Sequence, residues 1–239
     1  SEGARLATEI GGPVERAWGA LTKSGDENSL RVFFNMVQHL GPVLRAVPRE
    51  TPIIATHGFV GMLAVSLGFE NVINLVIDNH AQWFIVVPGA YNLVQGPSNY
   101  HNLLRMGVPA DRLELAGHWI PKDMVDGIEA DCAAREARAA ARKPLRLLIP
   151  VGGAGAQKSF VCSLVKALKP RIEEGAVQLM LNAGDHEHMR VAFVAALEAI
   201  GAAYGTVNSI DGVRGYAARL RKGKEPVHQV TLFSFADYF

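Results

Sequence analysis

The sequence is short of several things at once, and each shortage closes off a class of protein. It holds two cysteines, Cys132 and Cys162, with no histidine near either in ligand spacing. That excludes a disulfide framework and a structural zinc site, and it fits a reducing cytoplasm. No apolar run approaches the roughly 20 residues that a membrane-spanning helix needs; Val72 to Ile77 and Ile85 to Val87 fall far short. Charge of one sign is missing too. With 24 Lys and Arg against 23 Asp and Glu the net charge is +1, so the basic surplus of a dedicated nucleic-acid binder is absent and no nucleic-acid partner is expected. The modest charge does not signal disorder, because a chain of 239 residues that is 49% hydrophobic and 20% charged has ample material for a core.

What is present is an alternation. From residue 29 onward, segments of helical spacing alternate with short β-branched runs, the pattern of repeated βαβ units around parallel sheets, so the fold class is α/β. Strands are predicted at Pro52–Thr56, Val72–Ile77, Tyr91–Val94, Leu113–Ala116, Leu145–Val151, Val177–Asn182, Thr206–Ile210 and Val230–Phe235. Helices are predicted at Leu30–Val47, Val60–Leu67, Ser98–Met106, Met124–Arg142, Gln157–Glu174 and His186–Ala203, the first stopped by Pro48. The Ala- and Arg-rich stretch Ala133–Lys143, closed by Pro144, reads as an exposed linker helix. The organisation that follows is a first domain over 1–120, a linker over 121–144 and a second domain over 145–239. The first forty residues are helical in pattern with no strand, and the last residues finish a strand without helices to cover it, so both domains read as incomplete at the chain ends.

Chemistry concentrates where strands end. After the strand at Leu145–Val151 comes Gly152-Gly153-Ala154-Gly155-Ala156-Gln157-Lys158-Ser159, leading straight into a helix. Such a turn lets backbone amides and a helix N-terminus face an anion, which makes Gly152, Gly153, Gly155, Ala156, Gln157 and Lys158 candidate phosphate-binding residues. As a Walker A loop it has Gly152, Lys158 and Ser159 in register but Gln157 in place of the second glycine. As a dinucleotide fingerprint it has Gly153 and Gly155 but Lys158 where the last glycine belongs. A tight turn with no ligand is the plain alternative.

Asp78-Asn79-His80 follows the apolar strand Val72–Ile77, and His57 follows another. A carboxylate and imidazoles at carboxyl ends of parallel strands are general-base candidates, against the plainer reading of caps and exposed histidines. Asp185-His186-Glu187-His188 looks like a metal cluster but reads better as a helix start, since adjacent residues on a helix diverge; no metal site is expected. Arg214, Arg219, Arg221, Lys222 and Lys224 read as a solvated face that could touch anionic lipid or phosphate.

In this order the motifs THGF, VIDNHAQWF and YNLVQGPSNYHNLLRMGVPADRLELAGHWIP, then the turn at Gly152, resemble GT-B glycosyltransferases, in particular the monogalactosyldiacylglycerol synthases and the lipid I N-acetylglucosaminyltransferase. The likeness runs from about residue 50 to 235. It implies two Rossmann-like domains facing a cleft and transfer of a sugar from a nucleotide donor, a UDP-sugar, to a lipid-like or other hydrophobic acceptor. It also implies no metal or other cofactor, and a cytoplasmic protein with peripheral membrane contact. Asp78 or His80 would be the base with His57 in reserve, and the turn would hold the donor diphosphate. Three features depart from the family: no glycine-rich loop opens the first domain, Gly117-His118-Trp119-Ile120-Pro121 carries two bulky aromatic residues, and the acidic donor-side helix is missing. A P-loop-like hydrolase or kinase using Lys158, Ser159 and magnesium, or a non-catalytic binding protein, are the alternatives.

Overall fold

The structure is a computed structural model that describes residues 2–23, 31, 35, 37, 39, 41–79, 81, 85–153 and 155–234. These divide into two compact units, residues 17–126 and residues 1–16 with 127–239. The break falls inside the stretch 121–144, but residues 1–16 group with the second unit and not with the first, where the sequence reading put them.

The first unit is built on four parallel strands, β1 (Ile53–Ala55), β2 (Val72–Leu75), β3 (Tyr91–Val94) and β4 (Leu113–Leu115), laid side by side in chain order. Connections that all step the same way, each right-handed, fall on one face. Accordingly α3 (Gly58–Ser66) and α4 (Pro97–Arg105) both pack against the face that carries Ala55, Val72, Val94 and Leu113. Two earlier helices, α1 (Glu2–Ile10) and α2 (Gly12–Lys23), precede this sheet in the chain. Helix α3 is apolar nearly all round and buries Met62, Leu63 and Ala64, while α4 opens on Pro97, whose fixed φ suits a first helical turn.

Polar side chains stitch this sheet. Asn74 and Asn92 lie opposite each other on β2 and β3, both buried to 1% exposure. Asn74 Nδ2 donates to Asn92 Oδ1 at 2.8 Å and to Ile85 O at 2.9 Å, and Asn92 Nδ2 donates to Ala90 O at 3.1 Å. Burying an amide without partners costs about 1–3 kcal/mol, so these bonds are what make a pair of asparagines tolerable in the core. They fasten the segment before β3 to the sheet.

The second unit holds β5 (Leu145–Pro150), β6 (Val177–Asn182), β7 (Tyr204–Val207) and β8 (Val230–Phe233), all parallel but ordered β5-β6-β8-β7. Helices α6 (Lys158–Glu173) and α7 (Glu187–Ala199) cover one face, where Val161, Val165, Met189, Phe193 and Leu197 close over Leu179, Leu181, Val230 and Leu232. Helix α8 (Ile210–Arg221) lies on the other, its Tyr216 ring edge-on to Phe233 at 5.1 Å. Two independent parallel sheets joined by helices give the α/β class plainly. The order is not the dinucleotide-binding one, in which the first strand sits centrally beside the fourth; among the described residues β5 is an edge.

Helix α5 (Lys122–Ala140) has no buried residue, as its composition demands, and ends two residues before Arg142 at φ 51°. Its Arg138 is anchored to Glu225 Oε1 at 3.0 Å and to Pro144 O at 2.8 Å. Arg146 and Gln178 reach the same carboxylate. Partial burial works against a charged Glu225, yet hydrogen bonds from Gln178, Arg138 and Arg146 outweigh it and hold the carboxyl at about 2.

Three element boundaries differ from those expected. The seventh strand is Tyr204–Val207, earlier than 206–210, because Ser209 caps a helix by accepting from Gly212 N at 3.2 Å. That helix, α8, occupies what read only as a charge run. Helix α7 stops at Ala199, where Gly201 at φ 68° supplies the left-handed residue that ends helices. Most of the helix expected over 30–47 falls outside the described residues, and 41–44 is a 3₁₀ turn.

Candidate functional site

Each unit carries one cluster of the residues singled out by sequence, and they are built differently. In the first unit β1 and β2 are neighbours, so their carboxyl ends bring His57 and Asp78 to the rim of one recess, of about 30 Å³, with Thr56 and Asn74. His57 caps α3: its Nδ1 accepts from Phe59 N at 3.2 Å. With that lone pair engaged, the neutral ring carries its proton on Nε2, and neither nitrogen is left as a base. Asp78 is exposed, and its backbone oxygen accepts from buried Asn99 Nδ2 at 2.7 Å. This anchors the backbone and leaves the carboxylate in solvent. His80 lies outside the described residues.

In the second unit Gly152, Gly153, Gly155, Ala156, Gln157 and Lys158 form the expected strand-to-helix turn. Gly155 N donates to Gly152 O at 2.9 Å, so the turn closes on itself and that amide is unavailable to a ligand. Gly155 sits at φ 62° and Gln157 at φ 67°. A glutamine in the left-handed region holds a conformation that glycine adopts freely, at a cost of about 1–2 kcal/mol. It does so at the very position where a Walker A loop has its second glycine. No side chain caps the N-terminus of α6, so the first amides of a helix of 16 residues stay open.

What holds the turn was missed in the sequence. His186 Nε2 lies 3.2 Å from Gly152 O and His188 Nε2 lies 3.1 Å from Gly155 O. A carbonyl only accepts, so both rings donate from Nε2. The two rings meet edge to face at 5.6 Å, and His186 is 3% exposed. A Cβ on Gly155 would stand 2.8 Å from His188 Cε1 and 2.9 Å from His186 Nδ1, so the histidines leave room for glycine alone. These are residues of the Asp185-His186-Glu187-His188 run. Its helix start is at His186, not Asp185, and both imidazoles are used on backbone. Among the described residues no group of three or more His, Cys, Asp or Glu side chains could hold a metal ion.

In front of the turn is a cavity of about 390 Å³ whose lining includes Gln157, Lys158 and Ser159. Lys158 is half-buried and makes no ion pair among the described residues. An unpaired cation beside an open helix N-terminus favours an anion by two independent effects, the ammonium charge and the helix dipole. No helix among the described residues is long and apolar enough to cross a membrane.

Comparison with known proteins adds a family without an activity. No curated protein and no solved structure matches the chain. The family described as Domain of unknown function (DUF6937) matches residues 28–104. A second match, over residues 108–239, covers more than half of the chain, and by it the protein belongs to the family described as Domain of unknown function (DUF6938).

Proposed function

We propose that this protein is a metal-independent, GT-B-like glycosyltransferase that moves a sugar from a nucleotide donor, a UDP-sugar, to a hydroxyl on a lipid-like or other hydrophobic acceptor. The observation that carries the reading is the Gly152–Lys158 turn, held by His186 and His188 and bringing to a cavity an uncapped helix end and Lys158, which has no ion pair among the described residues. In the reaction the acceptor oxygen forms a bond to the anomeric carbon as the bond from that carbon to the diphosphate oxygen breaks. The electron pair leaves with the nucleoside diphosphate, whose growing charge the helix end and Lys158 offset. The acceptor proton goes to a base, for which Asp78 is the described candidate and His80 its neighbour. A lipid-like acceptor places the work at a membrane surface facing the cytoplasm. The turn supports this reading; the order of the second sheet does not add to it.

One observation favours a second reading. Gln157 holds a left-handed backbone at the position of the second Walker A glycine and is followed by Lys158 and Ser159, which suits a P-loop-like hydrolase or kinase. Calorimetry separates the two. Uridine diphosphate is expected to bind in the presence of EDTA, and Gly153→Asp to weaken it about tenfold or more by adding negative charge beside the phosphates. That substitution is a clean probe because nothing lies within 4 Å of a Cβ built on Gly153. Binding that requires magnesium and collapses in Lys158→Ala favours the P-loop. Binding without any turnover leaves a non-catalytic protein.

A further inference from the structure

The cavity in front of the turn has a second wall, and it comes from the other end of the chain. Residues of the α1–α2 junction, including Ile10 and Glu15, line it together with Gln157, Lys158, Ser159 and Phe160, all within the one compact unit. No spacing along the chain connects residues 1–16 with the turn, since about 140 positions separate them.

This wall has a chemistry of its own. Glu15 makes no ion pair among the described residues, although it shares the cavity with an equally unpaired Lys158. Glu15 and Lys158 thus border one cavity without pairing, so both charges are open to a ligand that enters it. Two large apolar side chains line the same space while well exposed, Ile10 at 61% and Phe160 at 64%. A bare diphosphate would use Lys158 and the helix end, would leave Ile10 and Phe160 idle, and would be repelled by Glu15. A ligand that uses all of them carries anionic oxygens, hydroxyl donors for a carboxylate, and a flat apolar surface. A nucleoside diphosphate has these three in one molecule: phosphates, ribose hydroxyls and a base.

We infer that the α1–α2 junction is the nucleoside-recognising wall of the donor site, with Glu15 accepting hydrogen bonds from the ribose hydroxyls and Phe160 and Ile10 packing on the base. The inference rests on the proposed role of the turn as the diphosphate site and names what lies across from it. It also gives the placement of residues 1–16 a purpose in binding.

The test compares uridine diphosphate with inorganic pyrophosphate, both titrated calorimetrically into the full chain in EDTA. In the wild type, uridine diphosphate is expected to bind at least about tenfold more tightly, since base stacking on an aromatic ring and ribose hydrogen bonds each contribute on that scale. Phe160→Ala should remove about tenfold from uridine diphosphate and leave pyrophosphate unchanged. Glu15→Ala should move the two probes in opposite directions, weakening uridine diphosphate by loss of the ribose bonds while tightening pyrophosphate by removal of a like charge. Both side chains are exposed, so neither truncation opens a core cavity, and the wild-type comparison needs no variant at all. Equal affinity of the two probes in the wild type, or parallel responses to Glu15→Ala, overturns the inference while the diphosphate turn stands. If neither probe binds, the turn is not an anion site and both readings fall.

Discussion

The two units end their strands with polar residues in the same places and put them to opposite uses. At the first sheet His57 caps its own helix, Asn99 and Gln95 donate to the backbone oxygens of Asp78 and Ile77, and the space left over is about 30 Å³. At the second sheet the side chains that serve the backbone, His186 and His188, come from the helix start after the neighbouring strand, and the cavity that the turn borders is about 390 Å³. That cavity is bordered by the turn and by neither of the histidines that hold it. At the first sheet the recess is bordered by His57 itself, whose ring is spent on capping its own helix.

The sharpest way to break that contrast is at Gly155. Gly155→Ala introduces a Cβ at a left-handed position against two packed rings, one of them in a residue only 3% exposed. The second unit should lose about 2–4 kcal/mol, with His186 forced off Gly152 O. Thermal unfolding measures it, and a loss below about 0.5 kcal/mol would show that the clasp is slack. The first unit has its own test in Asp78→Asn. If the carboxylate takes the acceptor proton, steady-state sugar transfer by the whole protein falls about a hundredfold with affinity for uridine diphosphate unchanged. Normal turnover would make the first recess purely structural and move the base elsewhere.

A smaller effect concerns how the second unit is tied down. Glu225 titrates at about 2 in the fold against 4.5 unfolded, so the native state binds fewer protons between those values. Its contribution is therefore complete above pH 4.5 and is lost as the pH falls through about 2. Glu225→Gln should cost on the order of 2 kcal/mol at pH 7, allowing for solvent screening of a side chain 31% exposed, and the gap to wild type should narrow on acidification. Denaturant titrations at pH 7 and pH 3 read both numbers; a gap independent of pH would mean that Glu225 contributes packing and not charge.

The strands were readable because short β-branched runs bounded by Gly, Pro or Asn have few other ways to fold, and seven of the eight lie where the pattern put them. Strand β7 slipped because Gly205 interrupts its run, and α8 escaped notice because no residue of it is buried and its arginines dominate the pattern. Of the candidate site, the Gly152 turn was visible as composition. Its anchors were not, since His186 and His188 reach it only because β5 and β6 are adjacent, which follows from pairing and not from spacing. The role of His57 was hidden for a similar reason: a cap and a base are the same residue until the position of one amide hydrogen is known.

The two strand orders also set two different schedules for assembly. In the first sheet each strand joins the free edge left by the one before it, so the sheet grows in the direction of synthesis and every pairing closes a short loop. In the second, β8 must slide between β6 and β7, which never touch each other. Until residues 230–233 leave the ribosome, both of those strands keep an unpaired edge, and the unit waits in a state with two open templates for misassociation. The strand order lets the first unit assemble as it is made, whereas the second needs residues 230–233 before β6 and β7 are joined.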